Sequence, residues 1–354
     1  MNITEHFSMW RIIGQEKSVD LLRRGLETGS LSHAYLFTGP AHTGKMTLAL
    51  NLAQALNCEG AERPCNQCNS CRKISEGKYA DIRIIAINGS DDSAETKQRT
   101  EISIDQIREI QHSASLPPFE GTCKVFIIDG AESLSLEAAN SLLKTLEEPE
   151  ERVVFILLAV NEQLLPETVI SRCQIMKLSP VSTAEIEVAL IEEHNTEPDN
   201  ARLLARLSHG CPGWAVTATV DDNLLRQRTE WLDEMVAVIN ADSGERFTYA
   251  AQLATQFSQK RELVYEKLEL WLDLWRDLLL IKVDSIGNTT NIDRLDSLST
   301  MAESYSLAQI RDFVKNIQAA GEQLRQNASP RLVLEVLMLD IPENERYNRV
   351  KSNA

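Results

Sequence analysis

The chain has 354 residues, enough for two or three domains with sizeable buried cores. Hydrophobic residues make up 43% and charged residues 25%, the composition of a soluble globular protein. The formal net charge of −16, from 36 Lys and Arg against 52 Asp and Glu, argues against a broad non-specific nucleic-acid surface, which needs excess cations to displace phosphate counterions.

Residues 1–17 lack the basic-then-apolar layout of a signal peptide. No stretch reaches the roughly 18 uninterrupted apolar residues that a membrane span needs. The most apolar one, residues 268–283, contains Glu269, Asp273, Arg276, Asp277 and Lys282. A cytoplasmic location is expected, and there thiols stay reduced, so clustered cysteines serve metals rather than disulfides.

Residues 34–37 form a short apolar run ending in a glycine turn, and residues 45–56 then take on helical character. Between them Gly39, Pro40, Ala41, His42, Thr43, Gly44 and Lys45 fit the opening of the phosphate-loop pattern. The glycines let backbone N–H groups wrap a phosphate, the helix N-terminus adds partial positive charge, and Lys45 adds a full one. The strand before and the helix after favour this reading over a coincidental glycine turn. The next position normally holds a Ser or Thr hydroxyl for magnesium. Here it is Met46, whose thioether is a poor ligand for a hard cation. Thr47 follows, but one step on a helix rotates the side chain by about 100°, which places it badly as a substitute.

Cys58, Cys65, Cys68 and Cys71 come next, spaced C-x6-C-x2-C-x2-C. Four thiolates this close suit tetrahedral zinc, the two-residue gaps forming a tight knuckle; an iron–sulfur cluster is the rival occupant. With four protein ligands the ion reads as structural. Cys123, Cys173 and Cys211 are scattered, and Cys123 and Cys211 are expected as small buried or semi-buried residues.

The β-branched runs at residues 82–87, 125–128 and 153–158 are expected as buried parallel strands, which makes the first half an α/β domain. Residues 89–101 read as a polar loop. Ser103 and Gln106 form a capping box that opens a helix with Ile107 and Ile110 on one face. The strand from Val125 ends in Asp129, a carboxylate placed to associate with magnesium. Many ATPases of this type place Glu next, to orient the attacking water; this chain has Gly130. Glu132 is expected as a solvated loop carboxylate, with an inward orientation as the alternative. Hydrolysis needs a held metal and a positioned water together. Bound ATP or ADP therefore stays open, while magnesium is poorly provided for and turnover by this chain alone is not expected. Leu136, Ala139, Leu143 and Leu146 recur at helical spacing until Pro149.

Past Pro180 the strand signal fades. Ser182 and Glu185 form a second capping box, Ile186, Leu190 and Ile191 an apolar face, and Gly210, Pro212 and Gly213 a break. Residues 225–339 read as nearly all helix. Trp271 and Trp275 share a helix face and are expected as core or interface anchors rather than a base-stacking platform. The expected division is residues 1–179 with the cysteine module at 58–71, a small helical part at 180–222, a helical domain at 223–342 and a frayed tail at 343–354.

These residues converge on a family. Ile13, Gly14 and Gln15 before the phosphate loop, the cysteines after its helix, and the runs 132–134, 138–149 and 165–173 resemble the bacterial clamp-loader AAA+ subunits of DNA polymerase III almost residue for residue. The triplet Ser171, Arg172 and Cys173 is the most specific mark. The stretches 275–280 and 330–339 look like collar helices of the family's non-motor branch, so the resemblance covers roughly residues 8 to 342. It implies a RecA-like parallel sheet with flanking helices, a helical lid, and a C-terminal all-α collar through which subunits form a ring. It implies as partners the gamma/tau motor subunits and delta, with the sliding clamp and primed DNA met mainly through the complex. It also implies that Arg172 acts in trans as an arginine finger on a neighbour's ATP. A guanidinium suits that task, because its fixed donors match charge spread over phosphate oxygens; the rival reading is a surface ion pair.

The departures from the family's motor subunits carry information too. Beside Met46 and Gly130, the strand-end polar sensor is replaced by Ala159 and Val160, and the lid arginine position aligns with Gly213. Four losses on one site with the outgoing finger kept imply a scaffold that completes a neighbour's site. An ATP-hydrolysing motor subunit, and a stand-alone zinc-containing DNA-binding protein, remain the alternative functions.

Overall fold

The computed structural model describes residues 9–87 and 101–343. The expected polar loop at 89–101 and tail at 343–354 lie outside these, apart from Glu101 and Glu343. The chain divides into two compact units, Met1–Ala189 with His209–Trp214, and Leu190–Ser208 with Ala215–Ala354.

The first unit runs α1 (Glu16–Thr28), β1 (Ala34–Thr38), α2 (Lys45–Asn57), α3 (Asn69–Ser75), β2 (Ile82–Ile85), α4 (Ile104–Ala114), β3 (Lys124–Asp129), α5 (Leu136–Glu147), β4 (Val153–Ala159), α6 (Glu167–Ile170) and β5 (Gln174–Lys177). The strands form one sheet in the order β2-β3-β4-β1-β5, every neighbouring pair parallel. Side chains alternate across a strand, and the inner strands β1, β3 and β4 are buried on both faces. Tyr35, Phe37, Val125, Ile127, Val154, Ile156 and Leu158 pack one face with Leu48 and Leu52 of α2. Leu36, Phe126, Ile128, Phe155 and Leu157 pack the other with Ile107 of α4 and Leu142 of α5. This is the α/β arrangement expected of the β-branched runs and the RecA-like sheet implied by the resemblance. The expectation of a buried strand at 82–87 is corrected, since β2 is an outer strand of the sheet and its Arg83 and Ile84 are exposed. The Ser103 capping box is present, with Ile107 and Ile110 buried beneath it. Strand β5 has no strand signal in the sequence: its residues Gln174, Ile175 and Lys177 are exposed because it forms the sheet edge.

After β5 come α7 (Thr183–His194), opened by the Ser182–Glu185 capping box, then α8 (Pro198–Leu207) and α9 (Pro212–Val220). The second unit continues as α10 (Asp222–Asn240), α11 (Ser243–Gln259), α12 (Arg261–Lys282), α13 (Leu295–Ala302), α14 (Leu307–Arg325) and α15 (Pro330–Leu339). Its core centres on aromatic packing: Trp275 meets Phe313 at 4.5 Å and Tyr305 at 5.2 Å, and Trp271 meets Phe313 at 6.0 Å. Both tryptophans are fully buried, so they anchor the core and offer no face to a base. Among the described residues no helix is long and apolar enough to cross a membrane.

Candidate nucleotide and metal sites

The phosphate loop leaves the C-terminal end of β1, on the side of the sheet where ligands of open α/β folds lie. Gly39, His42 and Gly44 take positive φ angles of 149°, 61° and 97°, the conformations that let a loop close around an anion. A Cβ on Gly39 would collide with the backbone oxygen of Leu178. Lys45 opens α2, and its Nζ donates to the carbonyls of Gly39 and Pro40, both at 2.7 Å. Burial pushes the Lys45 ammonium below its usual pKa, opposed by the nearby charges of Glu132, Asp129 and Cys211. Gly39, Gly44, Lys45 and Asp129 are therefore brought together as expected of a phosphate site. Thr47 is exposed on α2.

Each loss read from the sequence has a physical counterpart. Met46 packs its side chain against the apolar cluster under the sheet, so nothing at that position fits a magnesium ion. Gly130 sits at φ 73°, and the single tight turn of residues 131–133 follows it. That turn corrects the expectation for Glu132. Its carboxylate is not a solvated loop group: one oxygen accepts from the Val160 N–H at 3.3 Å, and the other is buried without a hydrogen-bond partner among the described residues. The left-handed glycine reverses the chain and carries Glu132 over the end of β4, toward Lys45. Gly213 donates its N–H to the His42 carbonyl at 2.9 Å. A Cβ there would meet that same oxygen at 2.9 Å, so a larger residue at 213 could not rest on the loop as the glycine does. Cys211, at the same return of the chain, lies within electrostatic reach of Lys45; burial pushes its thiol up and Lys45 holds it down.

Cys58, Cys65, Cys68 and Cys71 bring four Sγ atoms within 4.8 Å of one another. The surrounding backbone is arranged for thiolates. Gly60 and Cys65 donate N–H groups to the Cys58 sulfur at 3.3 Å, Cys68 to Cys65 at 3.3 Å, and Cys71 to Cys68 at 3.4 Å. Backbone N–H groups pull the Cys65 thiol down to about 6, the largest contribution coming from Gln67. Burial pushes Cys58 and Cys71 the other way, an opposition that a bound cation removes by stabilising all four thiolates. The donor set fits a metal ion, which would cross-link a loop that has no helix or strand of its own. The scattered Cys123 and Cys211 are buried and half-buried, as expected.

Arg172 lies elsewhere. Its Nη1 donates to the Thr168 carbonyl at 2.8 Å and to Ser171 Oγ at 3.3 Å, and its Nη2 pairs with Glu147. β1 and β5 run parallel, Tyr35 beside Gln174 and Thr38 beside Lys177. The phosphate loop follows the C-terminal end of β1, whereas Arg172 precedes the N-terminal end of β5. At ~3.3 Å per residue the length of these strands separates them, the loop at the C-terminal end of the sheet and Arg172 at the N-terminal end. The partnership with Glu147 has no sequence signal, since two residues 25 positions apart share no helix or strand periodicity.

Comparison with known proteins relates the chain to replication proteins. Residues 14–182 match the family described as DNA polymerase III, delta subunit. The DNA polymerase III subunit delta' of Bacillus subtilis (strain 168) is 29% identical over 330 residues, 93% of this chain and 96% of that protein. The tau subunit of Escherichia coli (strain K12) is 37% identical over 206 residues, 56% of this chain but 30% of that one. Among solved structures, a DNA polymerase III gamma subunit-related protein from Thermotoga maritima aligns over 92% of this chain and 99% of its own, at 16% identity and a TM-score of 0.38. Because the likeness runs nearly the full length of the delta-prime relative and over only part of tau, the chain belongs to the DNA polymerase III clamp-loader family as a delta-prime-like member.

Proposed function

We propose that this chain is a non-motor scaffold of a clamp-loader ring, and that Arg172 completes the ATP site of a neighbouring gamma/tau motor subunit during loading of the sliding clamp. The observation that carries this reading is the placement of Arg172 at the N-terminal end of the sheet, with its own phosphate loop at the C-terminal end. From there the guanidinium cannot reach a phosphate held by Lys45, but it can present donors to one held by another subunit. A finger supplied in trans contributes about 10³–10⁵ in rate. The altered home site supports the same division of labour: it lacks a hydroxyl for magnesium, a glutamate after the strand Asp and a lid arginine. Gly39, Gly44, Lys45 and Asp129 would hold an ATP or ADP as a static ligand, the loop's N–H groups and Lys45 neutralising its phosphates.

The tetrathiolate knuckle is assigned to zinc, for which four sulfurs in tetrahedral array are a common structural set. Residues 180–222 act as the lid and 223–342 as the collar that joins this chain to the motor and delta subunits. Primed DNA is met through that assembly, in keeping with the net charge of −16. A cytoplasmic location follows from the same role.

The test is ATP turnover by the chain alone and by the chain mixed with its motor and delta partners, for wild type and Arg172→Ala. The scaffold reading expects an inert single chain and a large loss of turnover in an assembly that still forms. A single chain that hydrolyses ATP in a Lys45-dependent manner, with no effect of Arg172→Ala in the complex, supports the motor reading instead.

A further inference from the structure

Residues 9–15 carry one backbone hydrogen bond within the segment, Ile12 N–H to Trp10 O at 2.7 Å, while the Gln15 carbonyl accepts from Ser18 and Val19 of the helix that follows. Two side-chain amides tie down their ends. Asn66 Nδ2 donates to the Met9 carbonyl at 2.6 Å. Gln15 Nε2 donates to the Ser179 carbonyl at 2.6 Å, and Gln15 Oε1 accepts from the Ser179 N–H at 3.3 Å. Between these points Trp10 is buried in the core at 2% exposure. The Ile12 side chain lies over the phosphate loop, where a Cβ on Gly44 would meet its Cδ1 at 3.1 Å. The segment is a strap over the start of α2.

The clasp at its first end belongs to the cysteine knuckle. Asn66 stands between Cys65 and Cys68 with φ 58°, a left-handed position whose side chain aims where the knuckle aims it. Residues 58–68 contain no helix or strand. Side-chain bonds tie their start to α3, Ser70 Oγ donating to the Glu59 carboxylate at 2.7 Å, and tie α3 to α2, Gln54 Nε2 donating to the Cys71 carbonyl at 2.9 Å; between these the four sulfurs converge. Thiolates packed this closely repel one another without a cation, so the ion fixes the loop that fixes Asn66.

We propose that the four-cysteine knuckle is the clasp of this strap, so that metal occupancy sets the order of the wall over the phosphate loop and of its far attachment at Ser179. The proposal rests on the metal reading above. It gives the knuckle a task beyond local folding. An ion bound outside the phosphate site governs how firmly Ile12 is held over Gly44, through the chain Asn66, Met9, Trp10 and Ile12.

The test is backbone hydrogen exchange over residues 9–15 in the full-length protein, with metal content measured in parallel. Three samples are compared: metal-loaded wild type, chelated wild type, and metal-loaded Asn66→Gly. Glycine accepts the left-handed backbone, so this variant removes the amide and leaves the knuckle's shape. Exchange over residues 9–13 should rise about tenfold in Asn66→Gly, the loss expected of one hydrogen bond, and at least as much on chelation. Exchange around Trp271 and Trp275 should not move. If the metal is present and the strap exchanges at an unchanged rate in both other samples, the proposal is overturned alone. Loss of metal from Asn66→Gly also overturns it, since Asn66 would then act on the knuckle itself. Wild-type protein that binds no metal defeats the metal reading, and the clasp with it.

Discussion

Arg172 and Glu147 form an ion pair that joins the start of β5 to the C-terminal end of α5. A carboxylate in the last turn of a helix is electrostatically unfavourable, because the C-terminus already carries partial negative charge. Arg172 offsets that charge while Thr168 and Ser171 occupy its Nη1. The guanidinium is thus held by its own chain in one orientation before any neighbour arrives.

The first prediction separates a finger from a surface ion pair. The Arg172 side chain is 32% exposed and the Glu147 side chain 49%, so solvent screens the pair and its stability contribution should be no more than about 1 kcal/mol. Glu147→Gln and Arg172→Lys should each shift the melting temperature of the isolated chain by about 2 °C or less. Arg172→Lys should nonetheless lower turnover of the assembled loader about 100-fold, since an ammonium cannot reproduce the planar fork. Thermal melts and turnover on the same preparations check this; full activity in Arg172→Lys would reduce Arg172 to a structural cation.

A second prediction concerns repair of the home site. Restoring the family's residues by Met46→Ser and Gly130→Glu should not produce turnover by the isolated chain. The Met46→Ser change withdraws apolar volume from the cluster where Met46 packs. The Gly130→Glu change forces a side-chain-bearing residue to φ 73°, a left-handed position that costs an L-residue roughly 1–2 kcal/mol. A Cβ has room there, the nearest atom being Ser133 Oγ at 4.0 Å, so the obstacle is backbone direction rather than crowding. The double variant should fold, melt lower and hydrolyse no more ATP than wild type. A clear gain in turnover would show that the site lost two side chains and nothing else.

These cases mark what the sequence made legible. The central strands were readable because β1, β3 and β4 are buried on both faces and written as unbroken apolar runs. β5 was not: like β2 it is an edge strand with a single buried residue, but Gln174 and Lys177 leave it without the β-branched run that marks β2. The phosphate loop and the cysteines were readable because their chemistry is local, each set lying within a short stretch of chain. Glu132 was misjudged because its direction depends on the sign of φ at Gly130, which a glycine leaves open. The contacts of Asn66 with Met9 and of Arg172 with Glu147 join distant segments, and no periodicity encodes them. Residues 180–222, expected as one small helical part, are shared between the two compact units, because the chain returns to the sheet unit at His209–Trp214.

The third prediction tests the metal ligands. Cys68 supplies one of the four sulfurs, and its Sγ also accepts the Cys71 N–H at the start of α3. Cys68→Ser should abolish stoichiometric metal and raise exchange across residues 58–75. The helical core around Trp275 and Phe313 lies in the other compact unit and should keep its protection. Metal analysis with peptide-level exchange reads both effects. Undiminished metal in Cys68→Ser would remove Cys68 from the ligand set.

The last prediction concerns α15. Its buried face, Val333, Leu334, Leu337 and Met338, belongs to the core of the second unit. Its outer face leaves Leu332, Val336 and Leu339 exposed at 63%, 48% and 55%. Spaced at helical intervals, these three form one apolar stripe, beside the Arg331–Glu335 pair. An exposed stripe of this kind on a proposed collar helix is the place for a neighbouring subunit's helix. Replacing Leu332 and Val336 by Asp adds charge only on the outer face, so the isolated chain should melt within a few degrees of wild type. Co-elution with the motor and delta subunits should be lost, because desolvating two unpaired carboxylates outweighs what the remaining contacts supply. Retained co-elution with an unchanged melt would mean that the ring is joined through another face of the collar.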